Sequence, residues 1–396
     1  MSAERILIAM HDFAGGGTER IAVRLANEWS RRGRRVRIFC GHEFGPTRDM
    51  VSAQVQVCEA APVLPRSLFS RGTLGVHLRQ EALAWQPDVI FAPGNFHLPV
   101  LAAYNAAGGS RAKTVCKLSN PLDLRGFARM FAPLHALGLH KLTNDIDALV
   151  AMSPALRSEA VHVLRRPDIL MAPEPILGGP LPAVAAMLPK HEASPLILCA
   201  GRLEKQKNFL LAIETFAALP PHLDAQLAIL GEGSQRRILE RQALRLGVAD
   251  RLHMPGHVPN VAAWLQRATA FLSTSRYEGY PAVLVEAIAA GIPVITTDCS
   301  PAIGEIVEDA AQGDIVPHDP AMLAAALARR IEGRVATSST DRSDRLQRHR
   351  VEWAAGAYLR LLDELAGSHP PAMKVAPLSA QPTGDAHAVE PSARRA

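Results

Sequence analysis

The fold class that this sequence predicts is α/β, with two Rossmann-like, doubly wound parallel-sheet domains in tandem. Short apolar runs alternate with amphipathic helical stretches along most of the chain, the pattern of a parallel sheet covered by helices on both faces. A proline-rich passage interrupts that alternation near the middle, after which it restarts. The 396 residues, 48% apolar and 20% charged, have a globular balance and exceed what one ordinary core organises.

The first strand is read at residues 6–10 (ILIAM) and the second at 36–40 (VRIFC). Between them, residues 19–33 place Ile21, Leu25 and Trp29 four apart, the apolar stripe of a helix. Residues 88–93, 113–118 and 148–153 repeat the strand signal, each followed by a helical stretch. Pro167, Pro173, Pro175, Pro180, Pro182, Pro189 and Pro195, with Gly178 and Gly179, then mark a linker at 176–194. It separates a first domain at 1–175 from a second at 195–344. In the second domain, strands are read at 195–202, 226–233, 251–256, 270–275 and 293–298, with helices at 207–219, 235–246 and 281–290. Gly291-Ile292-Pro293 ends a helix and begins a strand. A polar stretch precedes a last amphipathic helix at about 345–366, containing Trp353, Tyr358, Leu359, Leu361 and Leu362. Residues 367–396, rich in Pro, Ala and Ser, read as a disordered tail.

Several classes are excluded or disfavoured. The five cysteines are dispersed, with no C-x-x-C pair and no metal-ligand spacing, so reduced thiols in the cytoplasm and no metal are expected. The apolar start is too short for a secretory segment, and no run approaches the roughly 20 residues that span a bilayer. Charge is uneven: residues 1–190 hold 22 Lys+Arg against 15 Asp+Glu. The arginines cluster at Arg31, Arg32, Arg34, Arg35 and Arg37, at Arg66, Arg71 and Arg79, and at Arg125 and Arg129. Solvated helix faces explain them; so does contact with phosphate, an acidic glycan or anionic lipid. No nucleic-acid partner is expected, since no such module is visible and aromatics make up 5% of residues.

Three stretches can carry chemistry. Gly15, Gly16 and Gly17 follow the first strand and precede a helix, where backbone N–H groups and the helix's positive end can hold a phosphate. Arg20 stands where a dinucleotide fingerprint needs glycine and no G-K-[ST] follows, so a tight turn is the competing reading. Arg202, Lys205 and Lys207 lie in the loop after the strand 195–202, at the carboxyl end where open α/β sheets bind ligands. Such cations suit a pyrophosphate, Arg as a fork and Lys as a point charge. Finally, Glu278 precedes the helix at 281–290, with Pro281 in its first turn, and Glu286 lies inside it among small apolar residues. A carboxylate there is costly to bury alone; ligand hydroxyls supply partners, or else it reaches solvent at a domain edge. Asp145-Ile146-Asp147 has a D-x-D form that elsewhere holds a metal, but it immediately precedes a strand and reads as structural. His11, His97 and His257 each follow a strand, and a lone histidine is more often packing or surface.

At these residues the sequence resembles the retaining glycosyltransferases of family four, which have the GT-B fold. The matching stretches are 16–20, 25–36, 201–209, 230–233, 252–260, 275–287 and 291–298, and the E-x7-E spacing from Glu278 to Glu286 is the most telling. The resemblance implies two Rossmann-like domains facing a central cleft, with the last helix crossing back to the first domain. It implies that Glu286 binds ribose hydroxyls and that Arg202 and Lys207 bind the diphosphate and stabilise the leaving group. Glu278 would lie beside the donor sugar, in the stretch with Gly279, Tyr280 and Pro281. Gly256, His257 and Val258 would contact the base, and Gly15, Gly16 and Gly17 would close over the phosphates. No metal or cofactor is implied. Many members carry a histidine after the strand that here reads KTVCKLSN; this chain has Lys117, Ser119 and Asn120 instead. His97 and Asn120 are the remaining acceptor-side candidates.

The expected activity is metal-independent, retaining transfer from a UDP- or GDP-sugar to a glycan or lipid-linked acceptor in cell-surface polysaccharide or glycolipid synthesis. The basic first domain, including residues 124–141, suggests peripheral contact with an anionic membrane at the inner face of the cytoplasmic membrane. The alternatives are another GT-B enzyme, such as an epimerase or inverting transferase, or a non-catalytic binding protein. A nicotinamide oxidoreductase is disfavoured by the failed fingerprint.

Overall fold

Along strand β1 (Arg5–Met10) the side chains part between two apolar layers, Ile6, Ile8 and Met10 into one and Leu7 and Ala9 into the other. Burial on both faces is what a parallel sheet between helices requires. The computed structural model describes residues 2–67, 69–123, 130–178, 194–333 and 346–367. The linker residues 179–193, residues 124–129 of the basic stretch and the tail 368–396 lie outside them.

The first sheet adds β2 (Arg35–Cys40), β3 (Gln56–Glu59), β4 (Val89–Ala92), β5 (Lys113–Lys117), β6 (Ala148–Ala151) and β7 (Leu170–Met171). Its order is β3-β2-β1-β4-β5-β6-β7, with every pairing parallel. The second contains β8 (Leu196–Ala200), β9 (Gln226–Leu230), β10 (Leu252–Gly256), β11 (Ala270–Ser273), β12 (Val294–Thr297) and β13 (Gly313–Val316), in the order β10-β9-β8-β11-β12-β13, again parallel. Both orders reverse beside the first strand of their sheet, and ligands of doubly wound folds sit at such switch points.

Helices of the first domain are α1 (Gly17–Arg31), α2 (Ser70–Trp85), α3 (Leu98–Ala106), α4 (Ala132–Thr143) and α5 (Pro154–Leu164). Those of the second are α6 (Phe209–Ala217), α7 (Arg236–Arg245), α8 (Val261–Leu265), α9 (Ala282–Ala289), α10 (Ile303–Ile306) and α11 (Pro320–Ile331), followed by α12 (Val351–Gly367). All the expected strands are present to within three residues at either end, the largest difference being β9, expected at 226–233 and ending at Leu230. β3, β7 and β13 were not anticipated: they are edge strands, short or mixed with polar residues (QVCE, LM, GDIV), and present no apolar run. The helix at 281–290 begins one residue later than its proline suggests, with Pro281 preceding Ala282.

α12 returns to the first domain, as the resemblance implied. Tyr358 and Leu362 are buried in the same apolar layer as Ile6, Ile21 and Trp29. The Trp29 indole N–H donates to Ala355 O at 3.1 Å, and Tyr358 and Trp29 both pack edge-on against Phe91. Asp363 accepts from the Ala3 amide and pairs with Arg34, both at 2.8 Å.

Candidate active site

The carboxyl ends of the second sheet are knitted into one surface. The Gly201 amide donates to Leu230 O, Leu203 to Glu232 O and Gly231 to Gly256 O, at 2.8 to 2.9 Å. A Cβ on Gly231 would lie 2.0 Å from Gly201 O, and its φ is +137°, so the close stacking of these loops needs glycine. On this surface Lys207 Nζ pairs with Glu278 Oε1 at 2.7 Å, both largely buried. Gln206 Nε2 donates to Tyr277 O at 2.9 Å, and the Glu278 amide donates to Cys299 O at 2.7 Å. The cationic loop after β8 and the acidic loop before α9 are therefore one rigid unit. Arg202 is exposed beside them and has no ion pair among the described residues.

Glu286, on α9, points across the cleft. Its Oε1 is 4.0 Å from Nη2 of Arg24 on α1. Burial raises its pKa above the usual carboxylate value, while Arg24 and then Arg20 pull the other way. Arg24 also donates to the carbonyls of Pro175 and Ile176, tying α1 to the segment that leaves the first domain. Neither arginine stood out in the sequence, because only the closed fold brings α1 to α9.

The side chain of Tyr280 corrects the expectation that it faces a donor. Its hydroxyl is 3.1 Å from His349 Nε2, and His349 Nδ1 is 3.2 Å from Glu174 O. Burial lowers the His349 pKa to about 4, so the imidazole is neutral, with Nδ1 donating to the carbonyl and Nε2 accepting from the phenol. Tyr280 thus braces the junction of the domains and leaves only its backbone to a ligand.

On the first domain the glycine loop faces the second. A Cβ on Gly15 would lie 4.0 Å from His257 Cε1, so the loop and the segment Gly256-His257-Val258 oppose each other. Gly17 opens α1 and Gly16 precedes it, with Glu19 folded back until its Oε2 lies 2.4 Å from a Cβ placed on Gly16. Asp12 accepts from the Ala14 amide at 3.0 Å, and Arg66 pairs with both Asp12 and Glu19. Burial alone would raise the Asp12 pKa, but His11, Arg66 and the Ala14 amide hold it well below the usual range. The positive end of α1 is thus already matched by carboxylates.

His97 is the second correction. It is 1% exposed, its Nε2 accepts the His11 amide at 3.1 Å, and burial next to Arg66 lowers its pKa to about 3. It stitches the end of β1 to the turn after β4 and is enclosed, so it cannot meet an acceptor. Lys117 is fully buried too, with Glu174 Oε1 and Oε2 both 2.7 Å from its Nζ. Asn120, by contrast, is exposed in the cleft. Asn95, absent from the sequence candidates, donates through Nδ2 to Asn120 O at 2.9 Å and accepts the Ser119 amide at 2.6 Å. The signal for it was its place just after the strand VIFA, at a carboxyl end. This turn abuts the donor-side loop: a Cβ on Gly279 would lie 2.0 Å from Ser119 O.

Asp147 of the D-x-D stretch accepts from the Thr114 amide and pairs with Lys113, both at 2.8 Å, at the amino end of the sheet. Its role is to start β5 and β6. Among the described residues no three His, Cys, Asp or Glu side chains are grouped to hold a metal ion, and no helix is long and apolar enough to cross a membrane.

Two parallel-sheet domains that present a cation–carboxylate surface to a glycine loop across a cleft have the GT-B architecture of glycosyltransferases. The family model "Glycosyl transferase 4-like domain" matches residues 16–175, and "Glycosyl transferases group 1" matches residues 185–347. Each domain is thus matched by its own glycosyltransferase domain model, and the two together are arranged in the GT-B fold. An uncharacterized glycosyltransferase of Haemophilus influenzae is 24% identical over 185 residues, 46% of this chain and 50% of that one. The lipopolysaccharide core biosynthesis glycosyltransferase LpsE of Rhizobium meliloti is 31% identical over 155 residues, 39% of this chain and 45% of LpsE. The chain spans half or less of the length of these relatives. The solved structure of Anabaena HepE in complex with UDP and glucose superposes with a TM-score of 0.67 and 19% identity, covering 92% of this chain and 96% of that one.

Proposed function

We propose that the protein transfers a sugar from a UDP- or GDP-sugar to a glycan or lipid-linked acceptor, with retention of anomeric configuration, in the synthesis of a cell-surface polysaccharide or glycolipid. The observation that carries this reading is the Lys207–Glu278 pair, 2.7 Å apart at the carboxyl ends of the second sheet and facing the first domain. Lys207 and the unpaired Arg202 offer positive charge to a diphosphate leaving group, which removes the need for a metal ion. Glu278 fixes the ammonium and flanks the donor sugar, with the backbone of Gly279 and Pro281 beside it. Glu286 takes the ribose hydroxyls, and Gly256, His257 and Val258 the base. Gly15, Gly16 and Gly17 close over the donor from the opposite domain. The likeness to HepE, solved with UDP and glucose, favours UDP, and LpsE favours a lipopolysaccharide or polysaccharide product.

A thermal-shift series with UDP, GDP and their sugars tests this. At about 100 times Kd a ligand of the folded state adds about 2.7 kcal/mol, several degrees in Tm. UDP or GDP is expected to give that rise, and Lys207→Ala to abolish it. Stabilisation by NADH and by no nucleoside diphosphate would overturn the reading. The anomeric configuration of the product, read by NMR, separates retention from inversion.

A second reading concerns location. Met130, Phe131, Leu134 and Leu137 are all exposed, the last three spaced three apart along α4 and the residue before it. An apolar stripe on the basic domain suits a peripheral contact with anionic lipid. Co-sedimentation with phosphatidylglycerol vesicles, weakened at least tenfold by Phe131→Ser with Leu134→Ser, is expected; equal sedimentation with neutral vesicles would remove it.

A further inference from the structure

Two of the clustered arginines of the first domain play no part in the donor reading, and the fold brings them to one ring. Arg66, in the loop after β3, holds its guanidinium 4.8 Å from the centre of Phe96; Arg71, in the first turn of α2, holds its own 4.9 Å from the same ring. Two cations at one aromatic ring repel each other and are favoured by anions nearby. Arg66 has Asp12 and Glu19. Arg71 is partly exposed and has no ion pair or hydrogen bond among the described residues.

The surroundings give this unmatched charge a direction. Phe96 directly follows Asn95, which holds Ser119 and Asn120 by hydrogen bonds. Ser119 lies against Gly279, next to Glu278. A continuous path therefore leads from the donor-side carboxylate through the neutral Asn95–Asn120 turn to Phe96 and the arginines, along the carboxyl ends of the first sheet. The side chains at the middle of that path, two amides and a serine hydroxyl, suit a sugar hydroxyl, and its far end suits an anion.

We propose that the acceptor carries an anionic group, a phosphate or a carboxylate, that Arg71 binds above Phe96 while the acceptor sugar lies against Asn95 and Asn120. This rests on the cleft being a sugar-transfer site and names the acceptor class for it. The guanidinium fork matches either anion, and the ring beneath it fixes its plane. Arg66, already neutralised by two carboxylates, shapes the site without being its unmatched charge.

The test titrates the full chain with glucose 1-phosphate, glucuronate and methyl glucoside by NMR, each with and without saturating UDP. At least one anionic probe is expected to bind tenfold or more tightly than the neutral one. Arg71→Ala reduces that probe to the neutral level, and Arg71→Lys retains part of the difference. Arg241→Ala, which removes an exposed cation from α7 in the other domain, leaves it unaltered. Preference for glucose 1-phosphate points to a phosphate-bearing acceptor, and preference for glucuronate to an acidic glycan; either supports the proposal. Equal binding of all three probes overturns it, as does undiminished anion binding in an Arg71→Ala chain that melts at the parent temperature. Arg71→Gln serves the same comparison if the alanine chain folds poorly. Failure of UDP to bind overturns the donor reading instead, and the titrations without UDP still report on Arg71.

Discussion

At position 286 a carboxylate stands in a helix of small apolar residues, with Arg24 and Arg20 the charges that offset its burial. A folded-state pKa raised above the unfolded value means that ionising Glu286 opposes folding. That penalty is absent below the unfolded value, builds as pH rises through the interval to the raised value, and is complete above it. Glu286→Gln is therefore expected to raise Tm at pH 7 to 8, with the difference vanishing near pH 4. In the proposed donor site the same change would remove a charged acceptor for ribose hydroxyls, worth about 1.5–3 kcal/mol, so UDP affinity should fall by roughly 10- to 100-fold. Calorimetry and unfolding curves on one pair of proteins read both; a variant destabilised at neutral pH would contradict the argument. The sequence revealed Glu286, because a lone acid in an apolar helix is a local anomaly. It could not reveal Arg24, which is remote in the chain, or the enclosure of His97, which depends on the turn after β4 folding under His11.

Among the elements, the loop leading into α9 and the turn after β5 meet with almost no room between them. A methyl group on Gly279 would lie 2.0 Å from Ser119 O, so Gly279→Ala should hold the two domains apart. A misplacement of about 1 Å can cost roughly 100-fold in rate, and turnover is expected to fall by that order while UDP affinity falls less, since the proposed donor contacts lie mostly in the second domain. Small-angle scattering should show a wider particle; unaltered turnover would show that the closed contact is not part of the cycle. Element positions were legible in the sequence wherever an apolar run or helical stripe was strong, as in ILIAM, PLILC or the Ile21–Leu25–Trp29 stripe. They were illegible at β3, β7 and β13, where pairing with a neighbour rather than composition makes the strand.

Over the whole molecule, one apolar cluster runs from the first sheet, through Leu118, Leu122 and Tyr280, to the second sheet. Together with the buried Lys117–Glu174 pair and the His349–Tyr280 contact, it makes the junction between domains resemble a core. The tandem architecture could be read from the restart of strand–helix alternation after the prolines. The character of the junction could not, since it joins residues from four separate parts of the chain.

The return of α12 has a consequence for how the protein comes into being. An element synthesised after the second domain completes the first: Trp29 and Phe91 await Tyr358, and Ala3 and Arg34 await Asp363. At about 5–20 residues per second, that leaves an uncovered apolar groove on the ribosome-bound chain for on the order of tens of seconds. The second domain, whose sheet and helices are contiguous, has no such delay and can fold ahead of the first. Translation that stops before residue 351 would therefore yield, instead of a shortened enzyme, a first domain with its core open to chaperones and to aggregation.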